Sequence, residues 1–437
     1  MHTLTYHGIH ENLKASLNRG LVCTVNIGSS KILSIVAKVC NNSSEFIYHH
    51  NHYHGNMIKI IGFGQIGSSG ISGTQGIVDI DKATQSLRAA LDTAERQANR
   101  TINHVIITGS TFALESMMVN IRLSMSDPKI DKLLHSITNR KHYTTVDKYP
   151  LHAFPVNVID INGKCTAFDP SVHLQGSEEK IRLYTHIQAI SSMQVASLSD
   201  YMQRSDLQVA GILDSAYASG LACLTDTEKK NGAICIDMGG DTTGISLFYH
   251  GHCIASKSIP LGGKHITKDI SQAFSLSFKV SERLKTIYGD IATVASDHDE
   301  ILDTESTTDI TRSALIGVIR PRLEETFEFV REYLESVQFT DISNRIIVIT
   351  GGACQLPGVP DIAHRILGYP VQLRTASSIP SINKINLSDP SITCAIGGII
   401  HACSNNTDLR YYVYKNREKS RAIHQINQLM KWLYDTW

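Results

Sequence analysis

Two short segments carry residue types suited to holding a polyphosphate and its metal. Asp237-Met238-Gly239-Gly240-Asp241-Thr242-Thr243 sets a carboxylate, two glycines and two hydroxyls at the tip of what reads as a β-hairpin. Glycines permit positive φ and close backbone approach, successive N–H groups converge on anionic oxygens, and Asp237 can hold the waters of a Mg²⁺ ion. Asn26-Ile27-Gly28-Ser29-Ser30-Lys31 offers the same geometry a second time, with Lys31 available to terminal phosphates. Either turn alone is an ordinary hairpin in most proteins. Together they describe a cleft gripped from both sides, with ATP and Mg²⁺ as the expected occupants.

Two further segments extend the ligand beyond its phosphates. The strand Ile346–Thr350 runs into Gly351-Gly352-Ala353, where an adenine ring could lie against bare backbone. Glu282 and Lys285, three apart on one helix face, offer an acceptor and a donor to a ribose hydroxyl pair. A surface salt bridge is the alternative reading of that pair.

The elements that must position these residues come twice. Val22–Ala37 and Ile234–Leu247 share strand, Asn/Asp-x-Gly turn and strand, an internal repeat that implies two related lobes. A helix over 81–98, marked by Leu87, Ala90, Leu91, Ala94 and Ala98, and a strand over 104–108 follow the first copy. Helices over 264–274, 280–288 and 311–336, the last with a kink at Pro321, and the strand over 345–350 follow the second. The stretch 113–184 is less regular, with a helix expected over 129–137 and strands over 154–161 and 181–187; it reads as an inserted subdomain.

Composition agrees with such a protein. At 437 residues the chain exceeds what one core usually fills, and its 41 basic and 41 acidic residues cancel, giving no general pull toward nucleic acid. Nine cysteines without CxxC spacing suit reduced, buried thiols in a cytosolic protein. The first twenty residues show no signal-peptide core, and no apolar run reaches the length of about 18 residues expected of a spanning helix. The histidines of Tyr48–His54 have no carboxylate partner and carry no metal assignment.

The order of parts (hairpin, insertion, DxGGxxT hairpin, ExxK helix, strand-Thr-Gly-Gly-Ala) resembles the actin, Hsp70 and sugar-kinase superfamily. Within it the chain is similar to the FtsA family, through Ile259–Ile270, Glu282–Gly289, Val318–Arg322 and Thr350–Gly358. That resemblance covers about residue 21 to the C-terminus. It implies an α/β, two-lobed actin-like ATPase fold of duplicated ribonuclease-H-like domains, with an inserted small subdomain and a C-terminal amphipathic helix. The corresponding divisions are a mobile leader (1–20), a first lobe (21–112 and 185–230), an insertion for self-association (113–184), a second lobe (231–265 and 345–404), a subdomain (266–344), a linker (405–420) and a terminal helix (421–437). The resemblance further implies an ATP-binding, polymerising protein that tethers the tubulin-like FtsZ to the cytoplasmic face of the inner membrane at the division site. In that picture 266–344 docks the FtsZ C-terminal peptide, with Arg312 a contact and a solvated first-turn arginine the alternative. Two departures stand out: Asn26 replaces the usual acid of the first hairpin, and Asp241 and Gly244 interrupt the usual Gly-Gly-Gly-Thr-Thr-Asp of the second. Asp241 either adds a carboxylate to the metal or repels the triphosphate, so ATP binding is better supported than hydrolysis.

The tail supplies its own signal. Ile423, Ile426, Leu429, Met430, Leu433, Tyr434 and Trp437 share one helical face, and Lys415, Arg417, Lys419 and Arg421 precede it. Each such basic residue contributes about 1 kcal/mol toward anionic head groups. Trp432 and Trp437, the chain's only tryptophans, suit the interface between lipid and water. Packing of this helix on the protein body is the alternative to anionic membrane lipids. Three rival functions exist in the same superfamily. A small-molecule kinase needs a catalytic carboxylate facing a substrate pocket, an Hsp70-type chaperone needs a peptide-binding domain that the remaining residues cannot supply, and a PilM-like pilus scaffold has no need of the amphipathic tail.

Overall fold

The computed structural model describes residues 4, 6–40, 52–53, 56–110, 114–124, 148–160, 162–168, 180–292, 300–302, 309–337, 346–376 and 387–404. The expected helix over 129–137, most of the histidine cluster, the linker and the terminal helix lie outside them. Two compact units emerge, one of residues 1–115 and 192–404, the other including 116–191.

The larger unit holds both copies of the repeat. Its first sheet comprises β1 (Leu21–Ile27), β2 (Lys31–Cys40), β3 (His52–Tyr53), β4 (Asn56–Gly67), β7 (His104–Gly109) and β12 (Gln208–Asp214), in the order β12-β7-β1-β2-β4-β3. Its second comprises β13 (Ala233–Met238), β14 (Thr243–Tyr249), β15 (His252–Ile259), β16 (Ile346–Thr350) and β17 (Val371–Leu373), in the order β15-β14-β13-β16-β17. In each sheet a hairpin meets a third antiparallel strand on one side and parallel strands on the other. The same five-strand topology therefore occurs twice, as the duplicated sequence pattern requires. A small ribbon of β5 (Ile71–Ser72) and β6 (Gly76–Ile77) projects from the first lobe.

Between the sheets lie two helices, α4 (Ser215–Cys223) and α10 (Thr393–Cys403). α4 packs on β13 and β14, α10 packs on β1 and β7, and the two helices pack on each other. Small residues make this possible. A Cβ on Gly397 would lie 1.8 Å from the Ala218 carbonyl oxygen, one on Gly398 would lie 2.7 Å from Thr24 Cγ2, and one on Gly220 would lie 2.4 Å from the Phe248 ring.

Around this layer sit the remaining helices of the unit. α2 (Ile80–Ala98), capped by Asp79, buries Leu87, Ala90, Leu91 and Ala94. α3 (Ser192–Arg204) sends the buried Tyr201 hydroxyl to the Ala83 carbonyl, 3.0 Å away. The short α5 spans Asp226–Asn231. On the second lobe, α6 (Gly263–Phe274), α7 (Phe278–Tyr288), α8 (Arg312–Ser336) and α9 (Val359–Leu367) cover the sheet. α8 runs continuously through Pro321, its buried stripe of Leu315, Ile319, Leu323, Phe327, Val330 and Leu334 keeping helical spacing on both sides of the proline. Burying such side chains stabilises by roughly 1.5–3 kcal/mol each.

The leader departs from expectation. Residues Tyr6–Asn18 form helix α1, which packs on β12 and β1, and Asn12 donates to the Val209 carbonyl at 2.9 Å. It is an anchored element of the first lobe.

The smaller unit contains a four-stranded antiparallel arrangement, β10-β9-β11-β8, from β8 (Glu115–Ser124), β9 (Lys148–Ile159), β10 (Cys165–Ala167) and β11 (Lys180–Ser191). Of its long central strands, β11 extends past the span read from sequence at both ends, whereas β9 begins six residues earlier and ends at Ile159, short of the expected 161. Cys23, Cys165, Cys223, Cys235, Cys253, Cys354, Cys394 and Cys403 are free thiols, and of these only Cys165 is exposed.

Replacing Gly397 with alanine should drive α10 against the α4 backbone. Overpacking of this kind costs about 1–3 kcal/mol, expected as a lower urea midpoint with an unchanged m-value. An unaltered midpoint would show that the crossing tolerates separation.

Candidate functional site

The two hairpin tips face one another across a cavity of about 840 Å³ within the larger unit. Asn26, Gly28, Ser29, Ser30 and Lys31 line it from the first hairpin; Asp237, Gly239 and Gly240 line it from the second. Glu282, Lys285, Gly351, Gly352 and Ala353 complete the sequence-selected lining. Thirteen of the sixteen residues chosen for a nucleotide therefore converge on one space. Asp241, Thr242 and Thr243 do not line it. Thr242 donates to Ser110 Oγ at 2.6 Å, and Thr243 donates to the Leu261 carbonyl at 2.8 Å, so both serve to hold the second hairpin in place.

Each tip is fixed locally. Gly28 N–H donates to the Lys31 carbonyl at 3.2 Å, and Gly239 N–H donates to the Thr242 carbonyl at 2.9 Å. The second tip is also tied to α6, whose first N–H groups, on Gly263 and Lys264, donate to the Gly239 and Gly240 carbonyls at 3.0 and 2.7 Å. Helix N-termini carry unsatisfied donors, and here the hairpin satisfies two of them.

Asp237, the penultimate residue of β13, is buried, with Ser219 Oγ donating to its Oδ2 at 2.9 Å. Burial raises its pKa against that hydrogen bond. Gly351 follows β16 at φ +96°, and a Cβ there would lie 2.4 Å from Asp237 Oδ1. Only glycine can pass so close to the carboxylate in that conformation. Nearby, Asp214 caps α4, accepting from Ala216 and Tyr217 N–H at 3.1 and 3.2 Å. Burial pushes its carboxyl up to about 7, with the N–H bonds opposing and the Asp237 charge adding to the rise.

The two lysines differ. Lys31 donates to Ser391 Oγ, and burial lowers its pKa while Asp389 opposes the fall. Lys285 is buried and donates to Glu282 Oε2 at 2.7 Å, Thr267 Oγ1 at 2.9 Å and the Gly263 carbonyl at 3.0 Å. An ammonium has three donors, and these acceptors occupy all of them. The pair with Glu282 is thus neither a surface salt bridge nor a donor reserved for ribose. It fastens α7 to α6 and leaves Glu282, 43% exposed against 9% for Lys285, as the more open member of the pair at the cavity.

Sequence reading missed several lining residues. Lys264 carries a third cationic residue to the cavity lining, Phe278 an exposed ring and Ser391 a hydroxyl. The Gly262-Gly263-Lys264 run at a helix start was the available signal for the first of these. Asp241, expected beside metal or phosphate, instead accepts Gly73 N–H at 2.8 Å and pairs with Lys264 at 3.3 Å.

Arg312 opens α8. Its Nε and Nη2 donate to Glu300 Oε2 at 2.7 and 2.5 Å, its Nη1 donates to the Tyr288 carbonyl at 3.3 Å, and its guanidinium lies 5.7 Å from the Tyr288 ring centroid. It is an engaged cation rather than a solvated one. Among the described residues no group of three or more His, Cys, Asp or Glu could hold a metal directly, and no helix is long and apolar enough to cross a membrane.

A duplicated strand topology closed around a cleft between two hairpin tips defines an actin-like ATPase fold. A solved PilM–PilN type IV pilus biogenesis complex shares it, with a TM-score of 0.62 at 14% identity over 88% of this chain and 98% of that one. The model of the family described as cell division protein FtsA matches residues 234–397. The cell division protein FtsA of Rhizobium meliloti (strain 1021) is 29% identical over 398 residues, 87% of each chain. That of Bacillus subtilis (strain 168) is 28% identical over 399 residues, 89% of this chain and 84% of its own. Over most of its length the chain is similar to these FtsA cell division proteins.

The raised Asp214 pKa yields a pH signature. Because the folded value exceeds the unfolded one, the associated stability is complete below a pH of about 4 and is lost as pH rises through about 7. Asp214→Asn keeps a capping oxygen but cannot titrate. The unfolding free energy of the unsubstituted chain relative to the variant should therefore fall across that interval. A difference that stays flat by chemical denaturation would show that Asp214 remains ionised in the folded chain.

Proposed function

We propose that this chain binds ATP with Mg²⁺ between its two hairpins and serves in cell division as a self-associating tether that holds FtsZ to the cytoplasmic face of the membrane. The observation that carries the nucleotide reading is the convergence of the Asn26–Lys31 and Asp237–Gly240 tips on one cavity. Phosphates would lie between the tips, and the base against Gly351, Gly352 and Ala353. Asp237 is a buried carboxylate whose proton affinity burial raises, so a nearby cation would relieve it. Asp237 would hold Mg²⁺ through its waters, with the neutral Asn26 opposite.

The FtsZ and membrane parts rest on the similarity to FtsA proteins and on the tail sequence. Arg312 is the candidate contact for an acidic peptide, and Glu300 already occupies its guanidinium in the unbound chain. A peptide carboxylate would take the place of Glu300. The insertion of residues 113–184 is the candidate self-association surface, and the face containing Ile423, Ile426, Leu429, Met430, Leu433 and Trp437 is the candidate membrane contact.

Two measurements test this. Titration with a fluorescent ATP analogue should show Mg²⁺-dependent binding that Asp237→Asn weakens by at least about tenfold, near 1.4 kcal/mol; no binding at millimolar nucleotide would refute the ATP assignment. In sedimentation with anionic vesicles, the full chain should pellet and recruit FtsZ. A chain ending at Arg421 should stay in the supernatant, and Arg312→Ala should pellet without FtsZ. A full chain that ignores both lipid and FtsZ would leave an actin-like nucleotide-binding protein and favour the scaffold or kinase alternative.

A further inference from the structure

Asp241 and Lys264 stand where the two lobes of the larger unit touch. Asp241 Oδ2 accepts the N–H of Gly73, from the β5–β6 turn of the first lobe, at 2.8 Å, while its Oδ1 lies 3.3 Å from Lys264 Nζ. The same ammonium donates at 2.9 Å to the Ser29 carbonyl, in the first hairpin. Contact is close: a Cβ on Gly73 would lie 2.2 Å from Asp241 Cβ, and one on Gly240 would lie 2.2 Å from Ser30 Oγ. These groups are partly shielded, the Lys264 and Asp241 side chains being 25% and 17% exposed. Their charges therefore interact more strongly than a solvated pair would.

The two partners differ in one respect. Lys264 lines the cavity between the hairpins and Asp241 does not. The base of the lysine is fixed by its own N–H bond to the Gly240 carbonyl, so its side chain can reach either the lobe contact or the cavity without moving α6. An anion that enters far enough to reach Lys264 must compete with the Asp241 carboxylate and the Ser29 carbonyl. In a nucleotide seated as proposed above, that anion is the outermost phosphate.

We propose that Lys264 reads the terminal phosphate of a nucleoside triphosphate, and that Asp241 is its resting counter-ion, holding the lobes together and setting a threshold against the diphosphate. A diphosphate lacks the oxygens that would draw Lys264 away, so the Lys264–Asp241–Gly73 bridge persists. A triphosphate takes the ammonium and leaves Asp241 bonded to Gly73 alone. Asp241 thus acts on nucleotide preference without touching the nucleotide.

The inference rests on the ATP reading, and competition of a fluorescent ATP analogue by unlabelled ATP and by ADP, at fixed Mg²⁺, separates the two. Lys264→Met should weaken ATP by about tenfold while leaving ADP within about twofold, and Lys264→Arg should restore most of the preference. Asp241→Asn keeps an oxygen for Gly73 but frees the lysine, and should strengthen ATP by about threefold or more relative to ADP. That gain should shrink at high salt. An ATP-to-ADP ratio in Lys264→Met and Asp241→Asn equal to that of the unsubstituted chain would overturn the proposal and leave the ATP site standing. An unsubstituted chain that binds neither nucleotide would overturn both.

Discussion

The crossing of α4 and α10 is the constraint from which the rest of the larger unit follows. Two sheets of like topology can enclose a cleft only if the layer between them is thin, and here it is thin because Gly397 meets the Ala218 backbone with no side chain between. Gly398 and Gly220 extend the same economy outward, letting α10 sit down on β1 and β7 and α4 on the Phe248 ring. Interiors are packed to near-crystalline density, so such a contact transmits displacement rather than absorbing it. Both helices also begin beside the cleft, where Asp214 caps one and Ser391 lies just ahead of the other. A shift at the crossing would therefore be felt at the hairpins.

The second hairpin shows how a flexible sequence becomes a fixed binding surface. Its glycines would leave the tip free to sample many conformations, yet the N–H groups of Gly263 and Lys264 seize two of its carbonyls, and Thr242 and Thr243 secure it from the side. Rigidity comes from α6 and the conformational range from glycine. This division of labour explains why Asp237 can be buried and still face a cavity.

Much of the fold was legible because its signals are local. Both hairpins, the apolar stripe of α2 and the periodic burial of α8 are written within windows of twenty or so residues. So was the composition of the cleft, because two turns of glycine and hydroxyl residues in a duplicated frame say together what neither says alone. What could not be read depended on distance in the chain. Asp241 finds its partner Gly73 168 positions away, and nothing near Asp241 announces that a backbone N–H will be waiting there. Lys285 looked available because the carbonyl and hydroxyl that saturate it belong to α6, on another helix. The first helix is a different case. Ile9, Leu13 and Leu17 recur every four residues, but the intervening histidines and asparagines masked that spacing, and the helix is held by the sheet edge it covers.

The thiols add a property of another kind. Cys23, Cys223, Cys235, Cys253, Cys354, Cys394 and Cys403 are spread through both lobes and the central helices, and burial pushes each thiol toward its unreactive protonated form. Only a thiolate reaches electrophiles quickly, so alkylation at these positions waits for the surrounding structure to open. Cys394 sits at the cleft on α10, and Cys354 directly after the Gly351–Ala353 turn, while Cys165 in the smaller unit stays accessible throughout. The chain thus carries a graded set of internal clocks, in which the order of labelling would record the order in which its parts breathe.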